Sequence, residues 1–224
     1  MFGESVTLTS DEYKAKQVSP SKRWSPELVR GRRDSDERCK MIRKQFRPPH
    51  IYIAGATYFI TGSTVHKRRL FKTDGHKALL RGILKETAQR HDIRLYAWVL
   101  LDDHYHLLLK VGDDERALSK FIKGFHGASA VRLNKLDGAS GRQVWYQYWD
   151  RFPRDEADFW TYFNYIHQNP VKHGYVQKLD DVHQTLSQYP FSSYRYYLRK
   201  YGKAFLTDIW QHYPVIDHLE GDDY

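Results

Sequence analysis

Two histidines stand two residues apart in the run His104-Tyr105-His106-Leu107-Leu108-Leu109-Lys110-Val111. If this run is a strand, alternation sends His104, His106, Leu108 and Lys110 to one face and Tyr105, Leu107, Leu109 and Val111 to the other. The second face is uniformly apolar and belongs to a core. The two imidazoles share the first face with Cα atoms roughly 6.5 to 7 Å apart, near enough for both to bond one divalent ion through nitrogen at ~2.1 Å. Two ligands leave positions open on the ion, as metal catalysis requires. His-x-His also arises by chance in a chain with 12 histidines, so the reading needs support from a second segment.

Residues 155 to 169 supply it. Asp155 can cap a helix, Glu156 and Asp158 suit its first turn, and Phe159, Phe163 and Ile166 form an apolar stripe. Tyr165 and Asn169 fall one turn apart on a shared face about 100° round from that stripe, off the core. A phenol beside an amide oxygen could be a nucleophile next to a third metal ligand. A free phenol, with a pKa near 10, is a poor nucleophile at pH 7 and needs a metal-polarised phosphate to act on. Tyr162 lies on nearly the same face and competes for the role. Arg151 and Arg154 before the helix, and Lys172 and His173 after it, could hold phosphates. Trp145, Tyr146, Tyr148 and Trp149 in one strand, with Tyr189, Phe191, Tyr194, Tyr196, Tyr197 and Tyr201 later, could stack on unpaired bases at ~1 to 3 kcal/mol each. Core packing accounts for such aromatic clusters too.

The elements that must position these groups follow from periodicity. Strands are predicted over 56–64, 94–101, 104–111 and 144–149, and helices over 74–91, 115–135 and 155–169, the last ended or kinked by Pro170. Asp102 and Asp103 mark the turn between the second and third strands. The β-α-β-β-α-β-α order predicts an α+β fold, a ferredoxin-like or RRM-like antiparallel sheet with helices on one face. Residues 1–48 are polar, contain three prolines with a fourth at 49, and read as a basic N-terminal extension with at most a short helix near 26–33. The predicted division is extension 1–48, catalytic domain 49–178, and an aromatic-rich C-terminal extension 179–224 that packs on the domain.

Composition bounds the function. The 224 residues are 41% hydrophobic and 15% aromatic, enough to close a core, which excludes global disorder. The longest clean apolar run, 95–101, is far below the ~20 residues of a membrane-spanning helix, and the first residues lack a secretory pattern. The single cysteine, Cys39, excludes an internal disulfide and a Cys-cluster zinc site, and fits a reducing compartment. Lys and Arg number 36 against 27 Asp and Glu, a formal +9. Residues 1–49 carry 12 against 7, and 50–177 carry 19 against 13, a basic balance suited to a polyanion.

On the stretches IAGATYFITGST (53–64), AWVLLDDHYHLLLKV (97–111), VWYQYWDRFPRD (144–155), YIHQNPVKHGYV (165–176) and FSSYRYY (191–197), the chain resembles the REP-associated tyrosine transposases, a branch of the single-tyrosine HUH transposases. The resemblance implies an HUH endonuclease fold, His104 and His106 as metal ligands, Tyr165 as nucleophile, Asn169 as third ligand, and Mg²⁺ or Mn²⁺ as the ion. It further implies strand transfer through a 5′-phosphotyrosine on single-stranded DNA next to a hairpin, in the bacterial cytoplasm at the nucleoid. Relatives include monomers and dimers, so a homodimer is compatible with it. Asp102-Asp103 departs from the Pro-Asn or Pro-Asp usual before the first histidine, and either acid could supplement the metal site. Two other functions fit the residues: a module that binds hairpin or single-stranded nucleic acid without cutting it, and a phosphodiesterase that uses water and has no need of Tyr165.

Overall fold

The computed structural model describes residues 53–114 and 116–215. The extension 1–48, its predicted short helix and Cys39 lie outside them. The elements are β1 (Thr57–Thr64), α1 (Asp74–Arg90), β2 (Arg94–Leu100), β3 (His104–Lys110), α2 (Ala117–Leu136), β4 (Trp145–Arg151), α3 (Glu156–Lys172), α4 (Val182–Ser187) and α5 (Tyr194–His212). The strands form one antiparallel sheet in the order β2-β3-β1-β4, the α+β arrangement that the element order predicts.

β3 is central, and Thr61 and Ser63 of β1 lie opposite His106 and His104 in register. Side chains opposite one another share a face, which separates two half-cores. On one face Tyr105 packs edge-on against Phe125 of α2 and Trp145 of β4, and α1 and α2 pack on each other. On the other face α3 crosses β2 and β3, with Phe59 stacked on Tyr162 at 4.5 Å and Tyr96 edge-on to Phe159. The two-helix layer is therefore on a single face, while the third helix covers the opposite face, where the histidines point. This explains why β3 is buried on both sides from His104 to Leu109.

The segment after α3 seals the sheet. Leu100 N–H donates to the Phe191 carbonyl and Ser193 N–H to the Trp98 carbonyl, both at 2.9 Å, so residues 191–193 pair along the outer edge of β2. The Tyr189 hydroxyl donates to the Leu100 carbonyl at 2.6 Å, and the Tyr197 hydroxyl to that of Tyr96. Tyr189, Phe191, Tyr194 and Tyr197 are all buried. These aromatics close an edge that would otherwise expose unpaired backbone, which removes them from the pool of base-stacking candidates.

Candidate functional site

His104 and His106 project from β3 with ring centroids 5.1 Å apart. Each has its Nδ1 engaged: His104 with the Asp103 carboxylate at 2.6 Å, His106 with the Thr61 hydroxyl at 2.8 Å. A carboxylate can only accept here, so His104 Nδ1 carries the proton and Nε2 keeps a lone pair. Both Nε2 atoms are buried without a hydrogen-bond partner. This is the arrangement by which outer partners fix the tautomer and ring angle of a metal-binding histidine.

The electrostatics agree. Burial, and then the positive charge that would build up on His104 or His173 if protonated and that of Lys67 and Lys172, hold His106 well below the ordinary histidine range, so it stays neutral and able to ligate. Burial acts to raise the Asp103 carboxyl, but its hydrogen bond to His104 and the nearby cations outweigh this and leave it below the usual carboxylate value.

α3 brings the remaining groups. Asp155 caps it by accepting from Asp158 N–H at 2.8 Å. It runs through Pro170 to Lys172, because a proline in the last turn removes only one late bond. Gly174, at φ +69°, then ends it, with Tyr175 N–H donating to the Pro170 carbonyl at 2.8 Å and Gly174 N–H to Val171. Tyr165 lies edge-on to His106 with centroids 5.2 Å apart and packs on Phe59. The Asn169 amide N–H donates to the Tyr165 carbonyl at 3.0 Å, which orients the amide and leaves its Oδ1 buried and unpartnered. The predicted off-core position of Tyr165 and Asn169 needs correction: both are buried, at 3% and 1% exposure, because α3 is clasped between the sheet and the C-terminal helices.

The donor set fits a metal. Two imidazole nitrogens and an amide oxygen, all lone-pair acceptors without hydrogen-bond partners, come from β3 and α3 beside a tyrosine ring. Three such atoms cannot satisfy one another when His106, like His104, carries its proton on Nδ1 and donates it, here to Thr61. Among the described residues no group of three or more His, Cys, Asp and Glu side chains could hold an ion. Tyr162 stacks flat on Phe59 as part of the core beneath α3.

The flanking candidates divide. Lys172 is exposed with its ammonium 5.4 Å over the Tyr165 ring, and His173 is exposed with its ring 4.9 Å from that of His104. Trp149 is half-buried and pairs with Thr61, on the histidine face; Arg151, exposed, pairs with Phe59 on that same face. Trp145 is a correction. It stacks on His126 at 4.6 Å and donates its indole N–H to Ser129 at 2.9 Å inside the α2 half-core, where no base can reach it. Arg154, exposed, grips Asp158 with its guanidinium through two bonds of 2.6 and 2.9 Å and with its backbone N–H through a third, which staples the start of α3.

Asp102 does not join the two histidines either. It is buried against Arg69, at 2.6 Å, and Lys77, at 2.7 Å, with its N–H donating to the Tyr175 hydroxyl. Of the two acids in the turn, only Asp103 serves the histidines, and through His104. Thr61 is the residue that sequence reasoning missed, because its role depends on strand register.

Residues 53–169 match the family described as Transposase IS200 like, over half of the chain. The chain belongs to the IS200-like transposase family, which implies a divalent-metal requirement. It is similar to the REP-associated tyrosine transposase of Escherichia coli (strain K12), 29% identical over 147 residues that cover 64% of this chain and 79% of that one. Among solved structures it shares the fold of a REP-associated tyrosine transposase bound to a REP hairpin, with a TM-score of 0.52 and 23% identity, over 69% of this chain and 86% of the other. Among the described residues no helix is long and apolar enough to cross a membrane.

Proposed function

We propose that this transposase cuts and rejoins single-stranded DNA beside hairpins such as repetitive extragenic palindromes, with Tyr165 as nucleophile and Mg²⁺ or Mn²⁺ held by His104, His106 and Asn169. One observation carries the reading: Tyr165 lies edge-on to His106, and the buried acceptors without partners on these two elements, His104 Nε2 and His106 Nε2 on β3 and Asn169 Oδ1 one turn after Tyr165 on α3, flank that ring contact. The ligands are all neutral, so a bound dication keeps its full charge to stabilise the phosphate as it is attacked.

The chain's own residues do the rest. β3 and α3 hold the tyrosine beside the imidazoles, which lowers the entropic barrier to in-line attack. Lys172 brings a positive charge over the nucleophile's ring. The Tyr165 oxygen attacks the scissile phosphorus, the P–O3′ bond breaks, and the departing oxygen takes a proton to become a 3′-hydroxyl. One phosphodiester replaces another, so the strand can be rejoined without ATP. The four residues are at most 4% exposed, and the exposed Lys172 and His173 at the end of α3 lie beside Tyr165 and His104 where the site nears the surface. Arg151 and Trp149, on the same face, flank the path of the strand.

The test is end-labelled hairpin DNA incubated with the protein and Mn²⁺, then run on a denaturing gel. A labelled adduct that survives denaturation and is lost in Tyr165→Phe is expected. Cleavage without an adduct would transfer the reaction to water, and binding without cleavage would make the protein a hairpin-binding module. An adduct kept by Tyr165→Phe and lost in Tyr162→Phe would move the nucleophile one turn back along α3.

A further inference from the structure

One polar atom on the histidine face is left over by the proposed ligand set. Ser63 stands directly opposite His104 across the β1–β3 pair, so its side chain points to the same face as the two imidazoles. It is 5% exposed, and its Oγ has no hydrogen-bond partner. Strand and turn serines normally bond a nearby carbonyl or amide, and burying a hydroxyl with no partner is costly. The backbone is irregular at this point too. Between the pairs Gly62–Tyr148 and Thr64–Trp145, β4 carries one extra residue, so Ser63 faces a bulge. Bulges re-aim side chains and gather beside active sites.

The unpartnered atoms on this face complement one another. With both imidazoles protonated on Nδ1, His104 Nε2, His106 Nε2 and Asn169 Oδ1 offer lone pairs and no proton, whereas Ser63 can both donate and accept. Mg²⁺ and Mn²⁺ favour about six positions and keep several waters when the protein supplies few ligands. Three ligands therefore leave waters that need anchoring on the strand side of the ion.

We propose that Ser63 is a positioning residue of this site, its hydroxyl hydrogen-bonded to a water that completes the coordination of the ion held by His104, His106 and Asn169. The inference rests on the metal reading above and adds an outer anchor on β1, next to Thr61, which orients His106 from the same strand.

The experiment titrates Mn²⁺ into the full-length protein without DNA, reading free Mn²⁺ by electron paramagnetic resonance, for wild type, Ser63→Ala and Ser63→Thr. Thermal melts in EDTA accompany each titration. Wild type is expected to bind one ion. Ser63→Ala should bind about 10-fold more weakly, the lower end of the range for losing an outer-sphere partner, while its metal-free melting temperature stays equal or rises. Ser63→Thr, which keeps the hydroxyl, should stay closer to wild type than Ser63→Ala. Equal Mn²⁺ affinity in wild type and Ser63→Ala would overturn the inference and leave the metal site standing. A fall in metal-free stability that accounts for the weaker binding would overturn it in favour of a structural role. Failure of wild type itself to bind Mn²⁺ would remove the metal reading and Ser63 with it.

Discussion

At the scale of single residues, the chemistry of β3 depends on which ring nitrogen carries the proton. Asp103 settles this for His104, and Thr61 is the corresponding partner of His106. Thr61→Val keeps the shape and β-branching of the strand while removing the hydroxyl. It is expected to lower divalent-ion affinity by about 10- to 100-fold, as loss of an outer partner of a ligating histidine does, and isothermal titration with Mn²⁺ would measure it. Unchanged affinity would mean that packing between Phe59 and Tyr165 alone holds the His106 ring. The contrast with the histidines themselves is instructive. His104 and His106 are legible in the sequence because alternation acts within one strand, and Tyr165 with Asn169 because i,i+4 spacing acts within one helix. Thr61 sits 45 residues from His106, and only register joins them. Trp145 fails for a related reason: an aromatic looks the same in sequence whether its partner is a base or Ser129.

At the scale of elements, the β1–β3 pair is held by one close approach. Gly62 faces Tyr105, and a Cβ placed there would lie 2.3 Å from Cζ and 2.5 Å from the hydroxyl of that ring. The ring cannot yield easily, since it is fully buried against Phe125 and Trp145 and its hydroxyl bonds His126 Nε2 at 2.7 Å. Gly62→Ala should therefore destabilise the protein by about 2 to 3 kcal/mol, the upper part of the range for overpacking a core, read as a shift in the urea midpoint at constant slope. A change below about 0.5 kcal/mol would show that the strand pair slides to make room. Because Tyr105 lies between the two histidines, a weaker metal affinity should accompany the loss. Element type and order were legible from β1 to α3, and most boundaries to within two residues, whereas the helices α4 and α5 lie in an extension for which no element was predicted; α3 ran three residues further than the pattern indicated. The side of the sheet that α3 would choose was not, because its amphipathic stripe says that it packs and not on what. Its continuous burial from Tyr162 to Ile166 needs covers on two sides, and the second cover comes from beyond the helix itself.

At the scale of the whole molecule, that cover is the C-terminal segment, and it exposes the fold to acid. His167 on α3 packs on the C-terminal segment and is 2% exposed, edge-on to Phe163, Tyr194 and Tyr197. Its Nε2 lies 2.8 Å from Ser193 Oγ, which also accepts the Trp98 N–H at 3.0 Å, so one serine links α3, β2 and the start of α5. Burial lowers the His167 pKa to about 3, against ~6.5 in an unfolded chain. Between these values the unfolded state binds a proton that the folded state refuses, so stability is full above pH 6.5 and falls as the pH drops towards 3. One such imidazole costs up to about 1.4 kcal/mol per pH unit in that window, roughly 2 kcal/mol by pH 5. Urea denaturation in EDTA at pH 7 and pH 5 should show wild type losing stability, and His167→Gln, weaker at pH 7, losing about 2 kcal/mol less between the two. Equal losses would place the acid-sensitive group elsewhere, with buried His126, also lowered to about 3, the next to replace.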